Sequence, residues 1–273
     1  MTDLNERCRI FHRLHESGCF VIPNPWNAGS ARLLEQFGFK ALASTSSGFA
    51  WSMGRVDGGV TLDEVLAHLR AMSEAVDLPI SADFEGGFAD DPGGVGLNVE
   101  AAASTGIAGL SIEDSTGDAD EPLYDVSLAV ERIHAAREAI ARSGHPLLLT
   151  ARSEGFILGR PDRTQTIRRL VAYAEAGADC LFAPGLRTIA DIKAIVDAVA
   201  PKPLNVLMSS NFATVADLAA LGVRRISVGG ALARAAWTSF LEAAKEIADN
   251  GTFQGLSRAI PGGEMNKLFS SET

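Results

Sequence analysis

Eight short apolar runs recur along the chain, each separated from the next by a stretch with helical periodicity. They occupy residues 19–23, 40–45, 79–84, 109–113, 146–151, 180–183, 204–207 and 225–228. Each is too short for a stable helix, and most lack the polar alternation of a half-exposed strand. They read instead as strands covered on both faces. Between them lie patterns such as LDEVLAHLRAMSEAV and IADIKAIVDAVA, whose apolar residues return every three or four positions. Strands alternating with helices pair in parallel. Two architectures satisfy the pattern: a closed (β/α)8 TIM barrel and an open, doubly wound sheet. A chain without a strand–GxGxxG–helix fingerprint gives a dinucleotide site little support. Eight repeated units close most simply into the barrel.

The punctuation between units supports that count. Gly38, Gly106, Gly177 and Gly222 each stand where a helix should stop before a strand, and a left-handed cap there favours Gly. Pro79, Pro146 and Pro203 open three other strands, where a helix cannot continue. With 273 residues, 47% of them apolar, there is material for one barrel domain over residues 1–273. An amphipathic charged helix precedes it and a helical tail follows from about residue 251. The opening helix does not read as a signal peptide. The formal charge of −10 argues against nucleic acid or an anionic membrane as a partner. No apolar run reaches the ~20 residues a membrane span needs. Cys8, Cys19 and Cys180 lack metal-ligand spacing, and their odd number fits a reduced, cytoplasmic protein.

In a barrel, reactive groups gather at the C-terminal ends of the strands. The second strand leads into Ser44–Ser47 and, further on, Asp57. The third ends in Asp83 and Glu85, the fourth in Glu113 and Asp114, the fifth in Arg152 and Glu154, and the seventh carries Asn205. The eighth offers only SVGGA. Two residues apart on a strand, Asp83 and Glu85 point the same way, about 6–7 Å apart. Their repulsion is then about 2–3 kcal/mol at an effective dielectric of 20. A cation between them, a protonated carboxyl or solvent screening would each relieve it. Oxygen ligands without His or Cys beside them suit Mg²⁺ or Mn²⁺. Structural readings compete: loop carboxylates in water, turn serines at Ser46 and Ser47, a helix-capping Arg152, or Glu113 paired with Arg152. His12, His15, His68, His134 and His145 fall in helices or at the opposite end, which removes a His-based triad.

The segments PNPWNAGSARLLEQFGF, STSSGFAWSMGRVDG, SADFEGGF, GIAGLSIEDS, LTARSEGFILGR and AYAEAGADCLFAPGL, in this order, resemble the isocitrate lyase/phosphoenolpyruvate mutase superfamily. The resemblance implies a (β/α)8 barrel, often a homotetramer whose neighbours exchange the eighth helix. It implies Mg²⁺ chemistry on small 2-oxo acids or their enols. Asp83, Glu85 and Glu113 would then hold the metal, and Asp57 would lie close to metal or substrate. Ser46, Ser47, Gly48, Arg152 and Asn205 would bind the substrate, Arg152 by a charge-assisted pair with the substrate carboxylate. Asp57 and Arg152 are the expected catalytic pair.

The chain departs from the family between residues 114 and 127. Lyases of the isocitrate type carry a Lys-x-Cys-Gly-His loop there, and mutases or phosphonopyruvate hydrolases a Lys and an Asn. Here the loop is DSTGDADEPLYDVS, with no Cys, Lys, His or Asn. The expectation is a Mg²⁺-dependent carbon–carbon lyase or decarboxylase. The alternatives are a phosphonopyruvate-type mutase or hydrolase, and a barrel that binds a 2-oxo acid without turning it over.

Overall fold

The computed structural model describes residues 3–270; Met1, Thr2 and residues 271–273, included in the expected domain, lie outside the described residues. In chain order the elements are α1 (Leu4–Glu16), β1 (Phe20–Ile22), α2 (Ala28–Gln36), β2 (Leu42–Ala43), α3 (Ser46–Ser52), α4 (Leu62–Ala75), β3 (Ile80–Asp83), α5 (Pro92–Ala103), β4 (Gly109–Glu113), α6 (Val126–Arg142) and β5 (Leu148–Arg152). Then follow α7 (Arg163–Glu175), β6 (Cys180–Phe182), α8 (Ile189–Val199), β7 (Leu204–Leu207), α9 (Val215–Ala220), β8 (Arg225–Ser227), α10 (Ala231–Asn250), a 3₁₀ turn (Gln254–Arg258) and α11 (Gly262–Phe269). The strands pair in parallel in the order β1-β8-β7-β6-β5-β4-β3-β2. The β1/β2 seam is joined where Ala43 N donates to Pro23 O (3.0 Å) and Asn24 Nδ2 to Ser44 O (2.8 Å). The expected (β/α)8 barrel is the fold.

Local chemistry sets the boundaries. Thr61 and Glu64 cap α4 reciprocally, as Thr214 and Asp217 cap α9. Asp91 caps α5 ahead of Pro92, whose missing N–H costs nothing in the first turn. The four glycines ahead of strands have φ of +80° (Gly38), +86° (Gly106), +106° (Gly177) and +93° (Gly222), as the left-handed caps require. The strands are almost wholly buried, with Ile80, Leu110, Leu149, Leu181 and Val206 in the core. Helix α1 covers the N-terminal end of the barrel: Cys8 and Phe11 are fully buried, and His12 Nε2 meets Pro146 O at 3.0 Å. At the chain's other end, α11 docks on α2 through Arg32 and Gln36, which donate to Phe269 O (3.2 Å) and Leu268 O (2.5 Å). No helix among the described residues is long and apolar enough to cross a membrane.

Candidate active site

The loop after β2 is the first wall. Thr45 caps α3 by accepting from Gly48 N (3.3 Å), and the half-buried first turn places Ser46 and Ser47 on the wall of the barrel's inner cavity. A side chain at Gly48 would put Cβ 2.6 Å from Thr45 Cγ2 and 3.0 Å from Trp26 Cβ. Gly48 therefore serves close packing behind this wall, with its N–H already used. Ser46 donates from both N and Oγ to Asp83 Oδ2, at 3.0 Å each. Asp83 is fixed further by its own N–H, which donates to Ser44 Oγ at 2.8 Å.

Strand β3 ends at Asp83, one residue earlier than its apolar run. Glu85 lies beyond it with φ +48°, so strand alternation does not set its direction. Its carbonyl accepts from Glu113 N (3.0 Å), which places Glu85 beside the end of β4. Its buried Oε1 has no hydrogen-bond partner. A left-handed non-glycine residue with an orphaned carboxylate oxygen is costly for the fold alone, and such strain collects at functional sites.

Arg152, at the end of β5, stands in the midst of the acids. Nη1 lies 2.5 Å from Asp83 Oδ1, Nη2 3.0 Å from Glu113 Oε2 and Nε 3.0 Å from Glu154 Oε1. Its guanidinium carbon is 5.3 Å from the centre of the Phe182 ring. The pairing of Glu113 with Arg152, one of the competing readings of the sequence, is present, but as part of a three-acid clasp. Asp57 faces the same space from the loop after α3. Asp83, Glu113 and Glu154 thus hold one guanidinium, whose charge also reaches Asp57 and Glu85. Burial raises Glu113 and Glu154 above the usual carboxylate range despite Arg152, whose own pKa is raised by Glu113, Glu154 and Asp83. Burial, then the charges of Asp83 and Asp57, push Glu85 up to about 7. Asp57 is raised by burial and by Asp83.

These residues separate two connected spaces. An inner chamber of about 170 Å³ runs down the barrel axis, and an outer vestibule of about 670 Å³ opens above it. Ser46, Asp57 and Arg152 border both. Asn205 lines the chamber, but its ends are engaged: Nδ2 donates to Ser227 Oγ (2.9 Å) and Oδ1 accepts from Arg225 Nε (3.0 Å). Among the described residues, no three His, Cys, Asp or Glu side chains stand close enough together to hold a metal ion as they are placed. Arg152 lies between the carboxylates that would converge on one.

The segment 114–127, which has no basic residue of its own, is anchored from outside. Asp114 turns inward, 2% exposed, where Arg169 Nη1 (3.1 Å) and Tyr173 Oη (2.6 Å) donate to Oδ2 and Glu154 N donates to Oδ1 (2.8 Å). The basic partner comes from α7, outside the segment. A bridge between Ser115 and Leu123 makes the loop a hairpin, and Tyr124 Oη donates to Asp90 Oδ1 (2.5 Å). The other unforeseen member is Arg225, which reaches the chamber from β8. Its only sequence signal was a charge inside a run that must be buried.

The phosphoenolpyruvate phosphomutase family model matches residues 11–248. The chain belongs to the isocitrate lyase/PEP mutase superfamily. Within that superfamily it is similar to a Burkholderia cenocepacia structure described as a lyase/mutase. The two are 47% identical, with a TM-score of 0.95, over 98% of this chain and 97% of that one. It is 28% identical to the oxaloacetate decarboxylase of Rhodopseudomonas palustris over 266 residues, 94% of this chain and 90% of the relative. A phosphonopyruvate hydrolase in complex with oxalate and Mg²⁺ is 26% identical, with a TM-score of 0.86, over 96% of this chain and 94% of that one.

Proposed function

We propose that this superfamily member is a Mg²⁺-dependent carbon–carbon lyase that acts on a small 2-oxo or 2-hydroxy carboxylic acid through an enolate. Decarboxylation of an oxaloacetate-like acid is included. The observation that carries the reading is the excess of acid over base at the chamber mouth: three carboxylates clasp Arg152, Asp57 and Glu85 stand close enough to feel its charge, and Glu85 Oε1 is buried and unpartnered. A divalent cation answers both the charge and the orphaned oxygen, and an all-oxygen donor set suits Mg²⁺ or Mn²⁺. Asp83, Glu85 and Glu113 would hold it. When bound, the ion would supply a Lewis acid for the charge that develops on oxygen as an enolate forms.

The chain's own groups supply the rest. Arg152, released from the acids it clasps, would pair with the substrate carboxylate through its planar fork. Ser46 and Ser47 would donate hydroxyls from the opposite wall. Asp57, its pKa raised by burial and by Asp83, would stand beside the metal or substrate. The relatives support a small anionic substrate: one decarboxylates oxaloacetate and another is complexed with oxalate and Mg²⁺. A phosphonate or phosphate substrate gains no cation from the hairpin tip, which carries Asp118, Asp120 and Glu121. The free, largely buried cysteines fit a cytoplasmic setting.

The test is a panel of 2-oxo and 2-hydroxy acids assayed for CO₂, pyruvate and glyoxylate, with phosphonopyruvate assayed for phosphate, each with Mg²⁺ and with EDTA. Mg²⁺-dependent release of CO₂ or an oxo acid is expected. Phosphate release alone would move the function to phosphorus–carbon chemistry, and binding without turnover would make the protein a binder. Asp83→Ala should abolish Mg²⁺ binding in calorimetry; unchanged affinity would overturn the metal assignment.

A further inference from the structure

We propose that the floor of the inner chamber is a second anion site, built around Arg225, that takes a carboxylate. The proposal stands on the barrel interior and does not depend on the reaction assigned to the mouth.

Arg225 is 4% exposed and lines the chamber together with Asn205, Ser227, Ser111 and Ser81. Its three nitrogens meet only neutral groups: Nε donates to Asn205 Oδ1 (3.0 Å), Nη2 to Thr150 Oγ1 (3.1 Å), and Nη1 lies 3.3 Å from His15 Nε2. His15 is held neutral, its pKa pushed down to about 3 by burial and by the charge of Arg225. Its Nε2 therefore accepts and adds no charge. No carboxylate among the described residues lies within ion-pair distance of Arg225. The other buried arginines are compensated differently. Arg152 clasps three acids, Arg169 pairs with Asp114, and Arg7 lies 3.8 Å from Asp77. Arg132 is coordinated by the carbonyls of Gly86, Ala89 and Asp90. Arg225 alone among these five combines a buried, acid-free charge with a wall on a cavity.

A buried charge without a counter-charge opposes folding unless something compensates it. The chamber supplies space for that compensation. Each terminal nitrogen of Arg225 carries two N–H groups, and the partners above use one each. The remaining pair can meet a planar oxyanion in the fork geometry that guanidinium favours. Hydroxyls of Ser81, Ser111 and Ser227 line the same space. Thr150 precedes Arg152 by two residues on β5, so Arg225 reaches a level roughly 7 Å below the mouth. A chamber of about 170 Å³ admits only a small ligand there. The carboxylate has two sources: the far end of a dicarboxylate whose other end is at the mouth, or a separate small anion such as formate.

The experiment has an arm for each source, using the full chain with Mg²⁺. Malate and 2-hydroxybutyrate differ by a carboxylate in place of a terminal methyl, so titration calorimetry isolates that group. If the ligand supplies the carboxylate, malate binds about tenfold or more tightly, and Arg225→Met removes the preference while leaving 2-hydroxybutyrate affinity unchanged. If a free anion does, formate raises the unfolding temperature above an equal concentration of chloride, and Arg225→Met removes that increment. Neither effect in the unaltered protein overturns the proposal, as does either effect surviving unchanged in Arg225→Met. Should the Met variant not fold, Arg225→Lys, which keeps the charge and loses the fork, should show a reduced preference or increment; no reduction would overturn the site. Failure of both hydroxy acids to bind, with the formate effect intact, would count against the lyase reading and leave the floor site standing.

Discussion

Glu85 shows how burial and charge act on one residue. Its pKa lies at about 7 against an ordinary 4.5, so in the metal-free protein the folded state binds the extra proton between those values. Stability must then fall as pH rises through that window and level off above it. Glu85→Gln should remove this component, and the difference in pH dependence between the two proteins, measured by urea unfolding in EDTA, should reach about 3 kcal/mol at most. Parallel curves would show that Glu85 is solvated. Arg152 predicts the reverse dependence on its partners. Arg152→Met leaves Asp83, Glu113 and Glu154 without their cation, which should cost about 3–5 kcal/mol at neutral pH and less in acid, where they take up protons. Arg152→Lys should keep the fold but bind oxalate more weakly in the presence of Mg²⁺, because an ammonium lacks the two-pronged donor set. Equal oxalate affinity would confine Arg152 to a structural role.

At the scale of elements, the hairpin over residues 114–127 is anchored at its base and acidic at its tip. Asp114 is held by Arg169, Tyr173 and Glu154 N, and Thr116 N donates to Pro122 O at 3.1 Å. Hydrogen exchange should therefore protect the amides of Thr116 and Tyr124 well beyond those of Asp118–Glu121. Uniform fast exchange across the segment would show that the base opens too. The same element carries no thiol, ammonium or imidazole to deliver a proton. No cleavage of isocitrate or methylisocitrate at rates of about ten per second is expected. Turnover at such rates would mean that another group replaces the missing donor.

For the whole molecule, α10 is the element that bears on assembly. Ala233 is its buried residue among those described, while Phe240 (58%) and Leu241 (61%) are exposed, as are Phe253 and Leu256 just beyond it. An apolar helix face of this kind calls for a covering surface, and a second copy of the chain, as the superfamily resemblance implies, is the proposed cover. Light scattering at micromolar concentration should give a multiple of the 28.7 kDa chain mass. Phe240→Asp with Leu241→Asp should shift it toward the monomer, whereas a monomeric unaltered protein would refute the assembly.

The period of apolar runs, the capping glycines and the strand-opening prolines determined the barrel, because those signals are local: each follows from backbone geometry within a few residues. The polar strand ends were legible for the same reason, once a barrel placed them at one mouth. Other features were not local. Asp83 and Glu85 looked like neighbours on one strand until a left-handed residue ended the strand early. Asp114 looked like the start of an acidic loop until α7 brought Arg169 beside it. Arg225 looked like part of a strand with nothing to offer the site, yet closure of the sheet turned it inward to meet Thr150 from β5. Which charge meets which, and which remains without a partner, depends on side chains that converge from 75 residues away in sequence. That convergence exists only in the closed barrel, where burial strengthens each pairing and makes an unpaired charge costly.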